Sequence, residues 1–189
     1  MSDILALDQW LESFLFSVRI PFFLRVGEIV SLFGNVATVL LIACIIGICL
    51  TLFKRPYPSL VGLTSTLLGT GVSVYLLKIL VARPRPGGSI PSIIESSYSF
   101  PSGHAAGSMA LYGFIAFLLF RAYPRHKKLI GVVVAGIILS IGFSRLYLGV
   151  HFLSDVLAGY VLGGLWLFIG IKITKRVEGV HTDRTPLIR

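Results

Sequence analysis

Two histidines, one aspartate and a set of cations define the chemistry open to this chain. His151 and Asp155 stand four residues apart, which sets them one turn apart on a single helix face. A carboxylate so placed holds one imidazole nitrogen as N–H and leaves the other unprotonated and aimed outward. That is the arrangement of a nucleophile with its orienting group, although an isolated His–Asp pair is more commonly a structural hydrogen bond. His104 is the second candidate, an acid for a leaving group. His126 and His181 fall beyond the opposite ends of the apolar runs and read as bystanders.

Lys78, Arg85 and Arg145 lie at or just beyond the ends of apolar runs. Any one of them would read as a cation snorkelling to a membrane surface. Several at the same depth repel one another unless an anion neutralises them, and phosphate is the obvious multivalent choice. Arginine offers a planar fork for its oxygens and lysine a compact charge. Pro101-Ser102-Gly103-His104 stands where a helix should begin. Ser102 can cap it, Gly103 lets the backbone approach a ligand, and the free N–H groups form an anion site. Only Glu95 and Asp155 supply carboxylates near this layer, too few for magnesium or a two-metal centre. Zinc on two histidines and Asp155 would face repulsion from Lys78, Arg85 and Arg145. We therefore expect neither metal nor other cofactor.

The elements that must position these groups are membrane helices. Of 189 residues, 55% are hydrophobic and only 13% charged, where a soluble domain carries about a quarter charged; mean hydropathy is +0.88. Such a chain cannot cover a water-facing globule, which excludes disorder, a disulfide scaffold and an ordinary cytosolic enzyme. The net charge of +9 sits between apolar stretches, as in cytoplasmic loops, and no nucleic-acid partner is expected. Cys44 and Cys49 share one apolar run on different helix faces and imply neither disulfide nor metal.

Apolar runs at 29–53, 56–77, 105–120, 129–144 and 156–171 give five candidate spans. The last three fall short of the ~20 residues a span requires, so polar ends must extend them. In residues 1–28, Leu7, Trp10, Leu11, Phe14, Leu15 and Val18 recur at helical spacing, with Asp8, Gln9, Glu12 and Ser13 opposite. Asp3, Asp8 and Glu12 stand where a signal peptide would carry basic residues, and an interfacial amphipathic helix or one packed on the bundle is the expectation. Fold class is thus all-α: a polytopic membrane bundle of five spans plus an N-terminal interfacial helix. Residues 1–175 would form one membrane-embedded domain and 176–189 a cytoplasmic tail, with the polar sequence from Lys172 expected to be loose.

Eleven of the 17 basic residues (Lys54, Arg55, Arg121, Arg125, Lys127, Lys128, Lys172, Lys175, Arg176, Arg184, Arg189) fall on one side of this bundle, which should be cytoplasmic. Every residue that looks chemical then falls at the outer ends of the spans.

Lys78, six residues, Arg85-Pro86; Pro101-Ser102-Gly103-His104; Ser144-Arg145, five residues, His151, three residues, Asp155: this series resembles the three-part motif of the type 2 phosphatidic acid phosphatase superfamily. The resemblance implies a helical membrane phosphatase acting through a phosphohistidine. His151 would attack phosphorus with Asp155 orienting it, and His104 would protonate the departing oxygen and then activate water. Lys78, Arg85, Ser102, Gly103 and Arg145 would hold the phosphoryl oxygens. Arg83 lies outside the matched positions, as a supporting cation or an interface anchor.

A site at the outer membrane boundary, with no large soluble domain, suits a lipid that offers its phosphate sideways from the bilayer. Phosphatidylglycerol phosphate, phosphatidate, undecaprenyl diphosphate and lipid A phosphates all fit. Residues 87–100, with Gly87, Gly88, Pro91 and Tyr98, are expected to cover the site. Lipid-to-lipid phosphotransfer and, less favoured, a phosphate or lipid transporter are the alternatives.

Overall fold

A computed structural model describes residues 2–52, 57–87 and 97–183. Lys54, Arg55, Arg184, Arg189, Glu95, most of the expected cover including Gly88 and Pro91, and the side chain of His181 lie outside the described residues. Described elements are α1 (Ser2–Ser17), α2 (Pro21–Leu32), α3 (Val36–Leu52), α4 (Tyr57–Val81), α5 (Gly103–Ala122), a short 3-10 turn (Pro124–His126), α6 (Lys127–Tyr147) and α7 (Leu153–Asp183). The fold is all-helical, as expected. Four spans, at Tyr57–Val81, Gly103–Ala122, Pro124–Tyr147 and Leu153–Val180, are long and apolar enough to cross a membrane. Polar ends do extend the short runs: α5 starts at Gly103 and α6 runs on through Arg145.

The first expected span departs from a single helix. Its residues divide between α2 and α3, which meet at 44° and are apolar enough only as a pair, the pattern of a broken span or a re-entrant loop. Local chemistry explains the break. α2 begins on Pro21, whose missing N–H costs nothing in the first turn. The Asn35 side chain then accepts from the Ala37 amide at 2.9 Å, starting α3 afresh. Tyr112 of α5 donates to the Phe33 carbonyl at 2.9 Å, satisfying a backbone group that the break frees.

The chain after Lys172 is also more ordered than expected, since α7 stays helical to Asp183. Arg121 meets Glu178 at 2.6 Å, tying the end of α5 to this extension.

α5 is the most buried of the spans, and α7 packs along both α4 and α5. Gly159 and Gly163 allow α7 to approach α5 closely: a Cβ on Gly159 would stand 2.6 Å from the Ser102 carbonyl oxygen, and one on Gly163 2.4 Å from that of Ala106. Small residues are what let helices meet at backbone distance in lipid. Ser102 is thereby pinned to the first turns of α7, and its amide donates to the Asp155 carbonyl at 3.0 Å.

α1 buries one residue from each side of its pattern, Leu15 and Asp8. Leu7, Trp10 and Phe14 are exposed, whereas Asp8 is only 2% exposed. A carboxylate taken out of water needs hydrogen-bonding partners, which Arg83 and Ser154 supply. Asp8, opposite the apolar stripe of Leu7, Trp10 and Phe14, is thus turned into the protein.

Candidate active site

Four pieces of chain meet at one end of the bundle: the end of α4 with residues 82–86, the start of α5, the end of α6, and residues 149–155 leading into α7. Gly149 takes a φ of 72°, a left-handed turn that suits glycine and reverses the chain out of α6. His151 follows in the turn, 4% exposed, and Asp155 in the first turn of α7 is fully buried. Their spacing brings Nδ1 of His151 to 3.5 Å from Oδ2 of Asp155. The same oxygen accepts from the Phe152 amide at 2.9 Å. On its other side, Nε2 of His151 lies 3.4 Å from Nη1 of Arg85. The imidazole is thus wedged between a carboxylate and a guanidinium.

Arg85 is held by backbone, with Nη1 donating to the Val150 carbonyl and Nε to the Ser97 carbonyl, both at 2.8 Å. Lys78 donates to the Tyr98 carbonyl. Of the expected cover, Ser97 and Tyr98 are therefore seen to set the two cations. Ser102 caps α5, its Oγ accepting from the Ala105 amide at 3.4 Å. Arg145, 2% exposed, donates through Nη1 to Ser31 of α2 at 2.5 Å. His104, one residue into α5, packs against the α2–α3 break. A Cβ on Gly34 would lie 2.6 Å from Ile141 and 3.2 Å from His104, so glycine there leaves room for both side chains. All eight residues singled out from sequence gather in this layer.

Sequence reasoning missed Asp8, Ser31 and Gly34, and left Arg83 unassigned. Arg83 donates through Nη1 to Asp155 at 2.7 Å and through Nη2 to Asp8 at 2.8 Å, over the Phe152 ring. A second Arg-Pro dipeptide beside Arg85-Pro86 was the available signal for Arg83; nothing local marked Asp8 or Ser31. His126 lies in the 3-10 turn, at the far end of α5 and α6. Cys44 and Cys49 are free thiols in α3.

Burial holds His151 down to about 4; the adjacent Asp155 carboxylate works against this, and the Arg145 and Arg85 charges add to it. An imidazole exposed in the unfolded chain titrates near pH 6.5, at about 6.5. Between these values the unfolded state binds a proton that the folded state refuses. Stability is then lost as pH falls from about 6.5 to 4, by roughly 1.4 kcal/mol per unit, and levels off below. The melting temperature in detergent should fall more steeply over this window in the wild type than in His151→Gln. Parallel slopes would show that the imidazole is not held neutral.

An apolar cleft of about 550 Å³ between α3, α4 and α5 is lined by Val39, Leu40, Leu67 and Tyr75, and reaches Lys78 and Gly103. A cleft of about 660 Å³ between α2 and α6 touches Ser144 but has no charged residue in its lining.

Residues 59–178 match the model of the PAP2 superfamily. The chain belongs to the PAP2 superfamily. It is 34% identical over 158 residues to phosphatidylglycerophosphatase B of Bacillus subtilis, covering 80% of this chain and 75% of that protein. Dolichyldiphosphatase 1 of Callithrix jacchus is 30% identical over 143 residues, covering 69% of this chain and 58% of the relative. The crystal structure of a transmembrane PAP2 type phosphatidylglycerolphosphate phosphatase from Bacillus subtilis superposes with a TM-score of 0.83 at 28% identity, covering 99% of this chain and 90% of that one. The PAP2 chain described here is accordingly a multi-pass membrane protein and a lipid phosphate hydrolase.

Proposed function

We propose that this PAP2 protein hydrolyses a lipid phosphate or diphosphate through a phosphohistidine on His151. The observation that carries the reading is the His151 imidazole, flanked by Asp155 at 3.5 Å and Arg85 at 3.4 Å. Asp155 keeps the proton on Nδ1, so the Nε2 lone pair faces the place where Arg85 would hold phosphoryl oxygens. Nε2 attacks phosphorus in line; the phosphorus–oxygen bond to the lipid breaks, and His104 gives its proton to the departing oxygen. His104, now neutral, takes a proton from water, whose oxygen attacks phosphorus. The phosphorus–nitrogen bond breaks, releasing phosphate and restoring His151. Lys78, Arg85, Arg145, the Ser102 hydroxyl and the Gly103 amide hold the three equatorial oxygens, whose charge grows in the transition state.

The cleft ending at Lys78 and Gly103 supports a lipid substrate: tails lie between α3 and α4 while the head group reaches the cations. Phosphatidylglycerol phosphate, phosphatidate, undecaprenyl diphosphate and lipid A phosphates meet that geometry. Arg121, Arg125, Lys127, Lys128, Lys172, Lys175 and Arg176 lie toward the opposite helix ends, which supports an extracytoplasmic site in the cell membrane. The cations cluster at one end of the bundle, whereas transport sites sit near the midplane.

Purified protein in detergent, given these four lipids with and without EDTA, should release inorganic phosphate from at least one at the same rate in both conditions. Loss of turnover with EDTA, restored by a divalent metal, would overturn the metal-independent mechanism. Phosphate recovered on an acceptor lipid in place of free phosphate would establish transfer rather than hydrolysis.

A further inference from the structure

The N-terminal helix contributes a buried carboxylate to the back of the site. Asp8 accepts from Arg83 Nη2 at 2.8 Å, from the Ser154 amide at 3.0 Å and from the Ser154 hydroxyl at 2.5 Å. Arg83 in turn bridges to Ser154 Oγ and to Asp155 Oδ1, each at 2.7 Å, and Asp155 faces His151 through its other oxygen. α1 lies so close over this turn that the gap lined by Asp8, Glu12, His151 and Phe152 is only about 10 Å³.

Two features set this apart from ordinary helix packing. A carboxylate 2% exposed is costly without full hydrogen bonding, and Arg83 and Ser154 supply it to Asp8. A guanidinium shared between two carboxylates has its fork fixed at both ends, where one carboxylate alone would leave it free to swing. Without Asp8, Arg83 can rotate toward Asp155 and draw that carboxylate off the imidazole.

From this geometry we infer that Asp8 is a positioning residue for the reaction: by anchoring Arg83 it fixes Asp155, and through Asp155 the aim of His151. α1 is then part of the active site rather than only a membrane anchor. The inference rests on His151 being the nucleophile, and failure of that reading has its own signature, namely activity retained in His151→Gln.

The test is steady-state phosphate release by Asp8→Asn, Arg83→Gln and the double variant, with each melting temperature measured in detergent. A misaimed nucleophile slows chemistry without weakening phosphate binding. Asp8→Asn should therefore lower kcat about 10- to 100-fold, as loss of supporting contacts commonly does, with KM within about threefold of wild type. Because Asp8 acts through Arg83, adding Asp8→Asn to Arg83→Gln should cause no further loss. Wild-type kcat in Asp8→Asn, a loss that multiplies with that of Arg83→Gln, or a rise in KM at constant kcat would each overturn the inference. Should Asp8→Asn not fold, Arg83→Lys answers the same question. Its single ammonium keeps the charge but cannot bridge both carboxylates as a fork does, so kcat should again fall 10- to 100-fold, and unchanged kcat would refute the relay.

Discussion

His151→Gln should reduce kcat for phosphate release by about 10⁴-fold or more, the scale on which loss of a nucleophile leaves only binding and charge stabilisation. Glutamine is the instructive substitution because its amide can still donate toward Asp155 while offering no nucleophilic nitrogen. Lys78, Arg85 and Arg145 remain, so substrate should still bind and KM should change little. Wild-type enzyme quenched during turnover of a ³²P-labelled lipid should carry acid-labile, alkali-stable label, as a phosphoramidate does, and the variant none. Substantial turnover by His151→Gln, or label that persists in it, would remove the phosphohistidine from the mechanism.

His104→Gln should be the second most damaging change, and its effect should depend on the leaving group. An alkoxide departing from a lipid monoester needs a proton in the transition state, and general acid catalysis contributes about 10²–10⁴-fold. A nitrophenolate leaves without one. Loss on the lipid monoester should therefore exceed loss on an aryl phosphate by at least about tenfold, with the residual aryl deficit reporting the water-activating step. Equal loss on both substrates would show that His104 is not the acid. The position of the ring makes the test specific. It is seated against Gly34 at the α2–α3 break, and glutamine is no larger than the imidazole it replaces.

These predictions trace to residues legible from the chain alone, and the reason is geometric. Helical period puts His151 and Asp155 on one face whatever the neighbours do. A serine and glycine ahead of an apolar run mark a helix start in any setting. Apolar runs located the spans for the same reason, since hydrocarbon admits little besides apolar helix. The bend at 33–35 was not legible, because the run it interrupts contains no charge. Asn35 capping α3 and Tyr112 holding Phe33 decide it, and the second of these lies 79 residues away. Order beyond Lys172 was hidden likewise, by a contact with Arg121 on another helix.

What the sequence determined by itself was the chemistry on offer and the helix ends that carry it, because residue type and helical repeat are local properties. Only the tertiary structure decided what supports that chemistry. Asp8 meets Ser154 across 146 residues, and Ser31 meets Arg145 across 114. Amphipathic patterning showed only that Asp8 stands opposite the apolar stripe of α1. Tertiary packing turned it inward, where Arg83 and the Ser154 amide and hydroxyl supply the hydrogen bonds that a buried carboxylate requires.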